Sequence, residues 1–138
     1  MQTTDRFAET LQKLLSLTPD RIALFGYAHV PWMARRQKMI DQTALPNPKA
    51  RLRLFRTAQH IFDADGYQLI GIDHFALPNC SMTLASQTGM LFRNFQGYTT
   101  DPSMVLIEVG ASAISKFPQV YAQNAPGTAE YSKLIDTG

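Results

Sequence analysis

The stretch Arg93-Asn94-Phe95-Gln96-Gly97-Tyr98-Thr99-Thr100 carries two amides, two aromatics, hydroxyls and one glycine. A surface loop selected only for solubility would be built from Lys, Glu, Ser and Asp. This composition instead suits contact with a polar aromatic ligand. Two shorter groups close apolar runs. Gly26-Tyr27-Ala28-His29 places small residues where a flat ligand can approach, next to a histidine able to donate or accept. Asp73-His74-Phe75 brings two ionisable side chains to the end of a second run. Consecutive strand residues face opposite ways, so Asp73 and His74 read as separate groups rather than a ready-made dyad. A satisfied core histidine beside a capping aspartate is the alternative. Gly110-Ala111-Ser112-Ala113-Ile114-Ser115 fits either a helix-packing turn or a backbone approached by a nucleotide. No nucleophilic triad, phosphate loop or zinc motif is present.

The elements that must position these groups are legible as a coarse pattern. Thr4 is placed to cap a helix with Phe7, Leu11, Leu14 and Leu15 on one face, stopped before Pro19. Residues 22–28 form a short apolar run of the kind found in strands buried on both sides. Residues 32–40 suit a short helix. Asn47 as cap, Pro48 in the first turn and Gly66 just past the end bracket a helix from about Pro48 to Asp65, with Leu52, Phe55, Ala58, Gln59 and Phe62 on its spacing. Residues 67–75 read as a second buried strand. Ser81 caps a short helix running to Gly89, residues 104–109 read as a further strand, and residues 128–135 as a last helix. Residues 93–100 have the period of neither helix nor strand.

Helix and strand alternate, which specifies an α/β fold with parallel strands. A closed (β/α)8 barrel takes about 250 residues, however, and too few strands are present here. The chain therefore reads, over residues 1–138, as a single fragment of a TIM-like (β/α) barrel that lacks the N-terminal half.

Composition narrows the function classes. With 138 residues, 45% hydrophobic and 17% charged, the chain can build a packed core. A net charge of +2 makes no case for nucleic acid. Basic residues do cluster, as Arg35, Arg36 and Lys38 and then Lys49, Arg51, Arg53 and Arg56. They suit solvated helix faces or an acidic ligand. The single Cys80 rules out an internal disulfide and an all-cysteine metal site within the chain. No stretch is long and apolar enough to span a membrane, and residues 1–5 lack a signal-peptide layout. A cytoplasmic location is the expectation.

Taken in order, several motifs carry a resemblance. They are Phe25-Gly26-Tyr27-Ala28-His29-Val30-Pro31, Gly71-Ile72-Asp73-His74-Phe75-Ala76, the 93–100 stretch, the 110–115 stretch and Tyr121-Ala122-Gln123-Asn124. Together they resemble the oxygen-independent coproporphyrinogen III oxidases of haem biosynthesis, which are radical S-adenosylmethionine enzymes. The resemblance implies the following. A 4Fe-4S cluster reduces S-adenosylmethionine to a 5′-deoxyadenosyl radical, which takes a hydrogen from a propionate. Two propionates of coproporphyrinogen III leave as carbon dioxide, giving the vinyl groups of protoporphyrinogen IX. Ala28 and Ile114 would contact S-adenosylmethionine, and Phe95 and Gln96 would face the active site. Tyr27, His29, Asp73 and His74 would lie near it without an assigned role.

The departures matter as much. The family holds its cluster with three closely spaced cysteines, whereas Cys80 stands alone and in another motif context. The first half of the barrel and the family's C-terminal helical domain are also missing. Met1 stands where the family has a strand-to-helix junction, which reads as an excised fragment or truncated gene product. Such a piece should be inactive alone and, with barrel strands left unpaired, should self-associate. The alternatives are a fragment of a non-catalytic haem-binding or haem-transfer relative, and a free-standing scaffold domain.

Overall fold

The computed structural model describes residues 2–138, so the expectation attached to Met1 lies outside the described residues. The chain forms two compact units, one ending at Ser86 and one comprising Gln87–Gly138.

In the first unit, α1 (Thr4–Leu15) is capped one residue earlier than its sequence suggests. The Thr3 hydroxyl accepts from the Arg6 N–H at 3.3 Å, and Thr4 is the first helical residue. Helix α2 (Pro48–Ala64) starts and stops where its sequence signals place it. Asn47 Oδ1 accepts from the Ala50 N–H at 2.9 Å, and Pro48 occupies the first turn, where its missing N–H costs nothing. Gly66 takes the left-handed conformation (φ +87°), and its N–H donates to the Asp63 carbonyl.

Both helices lie on a three-stranded sheet of order β1-β3-β2, made of β1 (Arg21–Ala23), β2 (Gln68–Ile70) and β3 (His74–Ala76). Ile22 and Leu69 both oppose Phe75 across the sheet. Leu11, Ile22, Ala58, Phe62, Tyr67 and Phe75 form the core, and Phe62 packs edge-on against Phe75 at 4.8 Å between ring centroids. The Tyr67 hydroxyl reaches the Pro19 carbonyl and ties the end of α2 to the entry of β1. Burial and the charges of Asp65 and Asp20 hold that phenol above its ordinary pKa.

Both pairings in this sheet are antiparallel, which corrects the expectation of parallel strands. The cause is Gly71. It adopts φ +62° within the apolar run 67–75, and the turn there folds the run into a hairpin instead of one long strand. Likewise the run 22–28 is a strand only over Arg21–Ala23, and an extended segment follows. Residues 32–40 contain a 3₁₀ turn, Arg35–Met39, rather than an α-helix. A second 3₁₀ turn, Gln42–Ala44, precedes α2. The expected short helix is present as α3 (Ser81–Gln87), with Ser81 its first residue rather than its cap and its end two residues before Gly89.

The second unit is built from two small antiparallel ribbons and a helix. β4 (Phe92–Arg93) pairs with β5 (Tyr98–Thr99), and β6 (Ile114–Lys116) pairs with β7 (Tyr121–Gln123). The expected strand 104–109 reduces to one bridge, between Leu106 and Lys116, while Met104, Val105, Ile107 and Val109 are exposed. Ile114 and Ser115, expected in a turn, are strand residues. The turn itself spans Gly110 (φ +112°) and Ser112 (φ +62°). It is held by Asn124 Nδ2 donating to the Gly110 carbonyl at 2.9 Å and by the Gly110 N–H donating to the Tyr131 hydroxyl at 3.1 Å. Tyr131 belongs to α4 (Thr128–Thr137), so the last helix anchors the turn.

Candidate functional site

Beyond β1 the chain runs extended through Leu24 to Val30, and its first link is the Leu24 N–H donating to the Asp73 carbonyl at 2.8 Å. Phe25 stands edge-on to the His74 ring at 5.8 Å. His74 Nδ1 lies 2.7 Å from Asp73 Oδ1, with side chains 12% and 20% exposed. The expectation that these two diverge is corrected. Asp73 belongs to the turn and only His74 to β3, so strand alternation does not separate them. The carboxylate orients the imidazole, as in many sites where a histidine handles protons.

Tyr27 and His29 also meet, with the phenol oxygen 3.3 Å from His29 Nδ1. Ala28 between them is exposed, and its carbonyl accepts from Gln37 Nε2 at 3.2 Å. The same Gln37 side chain accepts from the Val30 N–H through Oε1. One amide thus pins the 3₁₀ turn Arg35–Met39, with its exposed Arg35, Arg36 and Lys38, to the segment around Ala28. On the other side, the Arg51 guanidinium from α2 lies where a Cβ on Gly26 would stand, so a side chain at 26 would require Arg51 to swing aside. Sequence reading placed Arg51 in a basic helix face. Gly26, small in an apolar run, is the signal that something packs against it.

Leu24 to Tyr27, His29, Arg51, Leu54 and Phe55 line a cleft of about 540 Å³ in this unit. That volume lies within the range of small-molecule sites.

In the second unit Phe95 and Gln96 sit at the tip of the β4–β5 hairpin, so residues 93–100 are an ordered ribbon rather than an aperiodic loop. Asn94 Oδ1 accepts from the N–H groups of Gln96 and Gly97 at 3.0 and 3.1 Å, and Gly97 supplies φ +140°. Arg93 covers the Tyr98 ring at 5.2 Å. Phe95 is 61% exposed and stands edge-on to Tyr121 of β7 at 6.1 Å. Ile114, half-buried on β6, opposes Gln123 of the same ribbon. Phe95, Gln96 and Ile114 thus share one unit, and Ala28 lies in the other.

The residues present do not fit an iron–sulfur cluster. Cys80 is the only thiol, and among the described residues no group of three or more His, Cys, Asp or Glu side chains converges. Cys80 is otherwise engaged, accepting from Arg21 Nε at 3.0 Å while Arg21 Nη2 donates to Ser81 Oγ at 2.8 Å. Burial pushes this thiol up, but the Met82 N–H and the Arg21 guanidinium outweigh burial and leave its pKa below the usual value. Anaerobic incubation of the isolated chain with iron and sulfide is expected to give no cluster absorption. One cluster per chain would overturn this reading of its ligands.

No protein-family model matches the chain. Individual proteins do. An oxygen-independent coproporphyrinogen III oxidase of Paracoccus denitrificans is 59% identical over 137 residues, which are 99% of this chain and 30% of that protein. One from Cereibacter sphaeroides is 53% identical over the same shares. Among solved structures, the coproporphyrinogen III oxidase of Escherichia coli, a radical SAM enzyme, superposes with a TM-score of 0.88 at 40% identity. That match covers 99% of this chain and 31% of the solved one. The chain is thus similar in sequence and fold, along nearly its whole length, to a stretch that makes up 30% of the oxygen-independent coproporphyrinogen III oxidases.

Proposed function

We propose that the chain is a working segment of an oxygen-independent coproporphyrinogen III oxidase, the enzyme that decarboxylates two propionates of coproporphyrinogen III to vinyl groups. The observation that carries this reading is the end-to-end similarity, 59% identity over 99% of the chain. The cluster, and with it the generation of the radical from S-adenosylmethionine, belongs to residues outside this chain. Within a barrel completed by such residues, the sheet of the first unit would contribute wall strands.

The residues here hold and orient. Ala28, at the end of the extended segment pinned by Gln37, and Ile114, on the β6 ribbon, are the contacts to S-adenosylmethionine. Phe95 and Gln96 are the pair presented to the substrate. The exposure of Phe95 supports this, because an aromatic ring at a hairpin tip contributes little to a core and much to a ligand face. No observation favours a haem-transfer relative or a scaffold, and the relatives quoted above are named as oxidases. The test is exchange of this chain for the matching segment of the Escherichia coli oxidase. The hybrid is expected to retain anaerobic oxidase activity.

A further inference from the structure

The cleft beside the end of β1 combines features that the proposed function does not use. Its walls are apolar, with Phe25, Ile40, Leu54 and Phe55 among them, and no aspartate or glutamate lines it. Arg51 enters it as a full positive charge. Among the described residues Arg51 forms no ion pair, and its guanidinium lies beside Gly26. His29 also lines the cleft, and its Nε2 is buried without a hydrogen-bond partner. Buried polar atoms left in that state are uncommon and call for an explanation.

Tyr27 supplies part of one. When its hydroxyl donates to His29 Nδ1, 3.3 Å away, the ring proton resides on Nε2 and that atom becomes a donor. A cation and a buried N–H donor, set in an apolar cleft with no competing carboxylate, match one kind of ligand. A carboxylate would accept from Nε2–H and pair with the guanidinium in a charge-assisted contact, while an apolar body would lie against Phe25 and Phe55.

We propose that this cleft binds a carboxylate carried on an apolar body, with Arg51 and His29 as the anion-holding pair. The propionate arm of a tetrapyrrole and a free medium-chain carboxylate share that chemistry. The proposal stands on the cleft alone, so it is independent of the outcome of the segment exchange.

Calorimetric titration of the 138-residue chain with octanoate, 1-octanol and coproporphyrin III separates the cases. At least one acid is expected to bind with one site per chain, and octanol about tenfold more weakly than octanoate or not at all. Losing the charge-assisted contact in Arg51→Met should weaken the bound acid by about tenfold or more. Arg51→Gln, monitored for helix content, provides the second variant, and Arg51→Lys should retain most of the binding. His29→Phe should also weaken it. Displacement of octanoate by coproporphyrin III, or binding of coproporphyrin III alone, would identify a tetrapyrrole arm as the occupant. Octanoate binding without displacement would identify a free carboxylate. Failure of both acids to bind overturns the proposal. So does equal affinity for octanol and octanoate, or unaltered binding by a folded Arg51→Met or Arg51→Gln variant.

Discussion

Replacing Phe62 by alanine is expected to cost the first unit about 3–5 kcal/mol, the range for deleting a fully buried aromatic ring. Phe62 has no solvent exposure, and its ring meets both Phe75 at 4.8 Å and Tyr67 at 6.0 Å. With Phe55 it is one of the two α2 rings that pack on Phe75 of the central strand, within the core of the unit. Small domains have only about 5–15 kcal/mol of stability in all. The variant should therefore sit close to its unfolding threshold at room temperature. Urea titration followed by far-UV circular dichroism, which reports α1 and α2, checks this. A loss below about 1 kcal/mol would mean that Phe62 is not the central packing residue of the unit. The adjacent Asp63 is exposed, so Asp63→Ala serves as the control and should shift stability by no more than about 0.5 kcal/mol.

The second large effect is on activity instead. Placed in the segment-exchanged oxidase, Phe95→Ala and Gln96→Ala should each lower kcat/KM on the order of a hundredfold, the scale on which misplaced substrate slows an enzyme. Stability should hardly change. Phe95 loses one exposed edge-on contact with Tyr121, worth about 0.5–1.5 kcal/mol. Gln96 is exposed, and only its backbone N–H makes the contact with Asn94 that shapes the tip. Alanine at 96 preserves that bond. Normal turnover by either variant would remove that residue from the site. Reduced turnover with an equal loss of folding would assign it to the scaffold. Phe95→Tyr, which keeps the ring, should recover most of the rate.

How much of this was legible in the sequence differs from element to element. Helix α2 could be bounded almost to the residue, because Asn47, Pro48 and Gly66 act through local backbone geometry that needs no tertiary information. The apolar run 67–75 misled, because apolar character reports burial and carries no sign of strand direction. The one clue was Gly71 in its middle, whose positive φ turns the run back on itself. That reversal also decided the chemistry, since it put Asp73 in a turn and brought its carboxylate to His74.

The 93–100 ribbon escaped for a different reason. Its paired strands are two residues each, too short to display a period, and its tip is shaped by the Asn94 side chain. The segments proposed to bear the site drew attention because their composition departs from that of a solvated loop. What stayed invisible were contacts across the fold, such as Arg51 against Gly26 and Gln37 across Ala28 and Val30. Spacing along one chain does not encode them.

The central claim is that this chain performs the oxidase segment's work, and the hybrid enzyme tests it most directly. With the chain replacing the matching segment of the Escherichia coli oxidase, reconstituted cluster content is measured first, to establish that the host part is intact. Anaerobic conversion of coproporphyrinogen III is then followed by chromatography of the oxidised porphyrins. The account predicts loss of both carboxyl groups and accumulation of the divinyl product at a rate within about tenfold of the host enzyme, one decade corresponding to about 1.4 kcal/mol of barrel misfit. A folded, cluster-loaded hybrid that leaves coproporphyrinogen III untouched would contradict it.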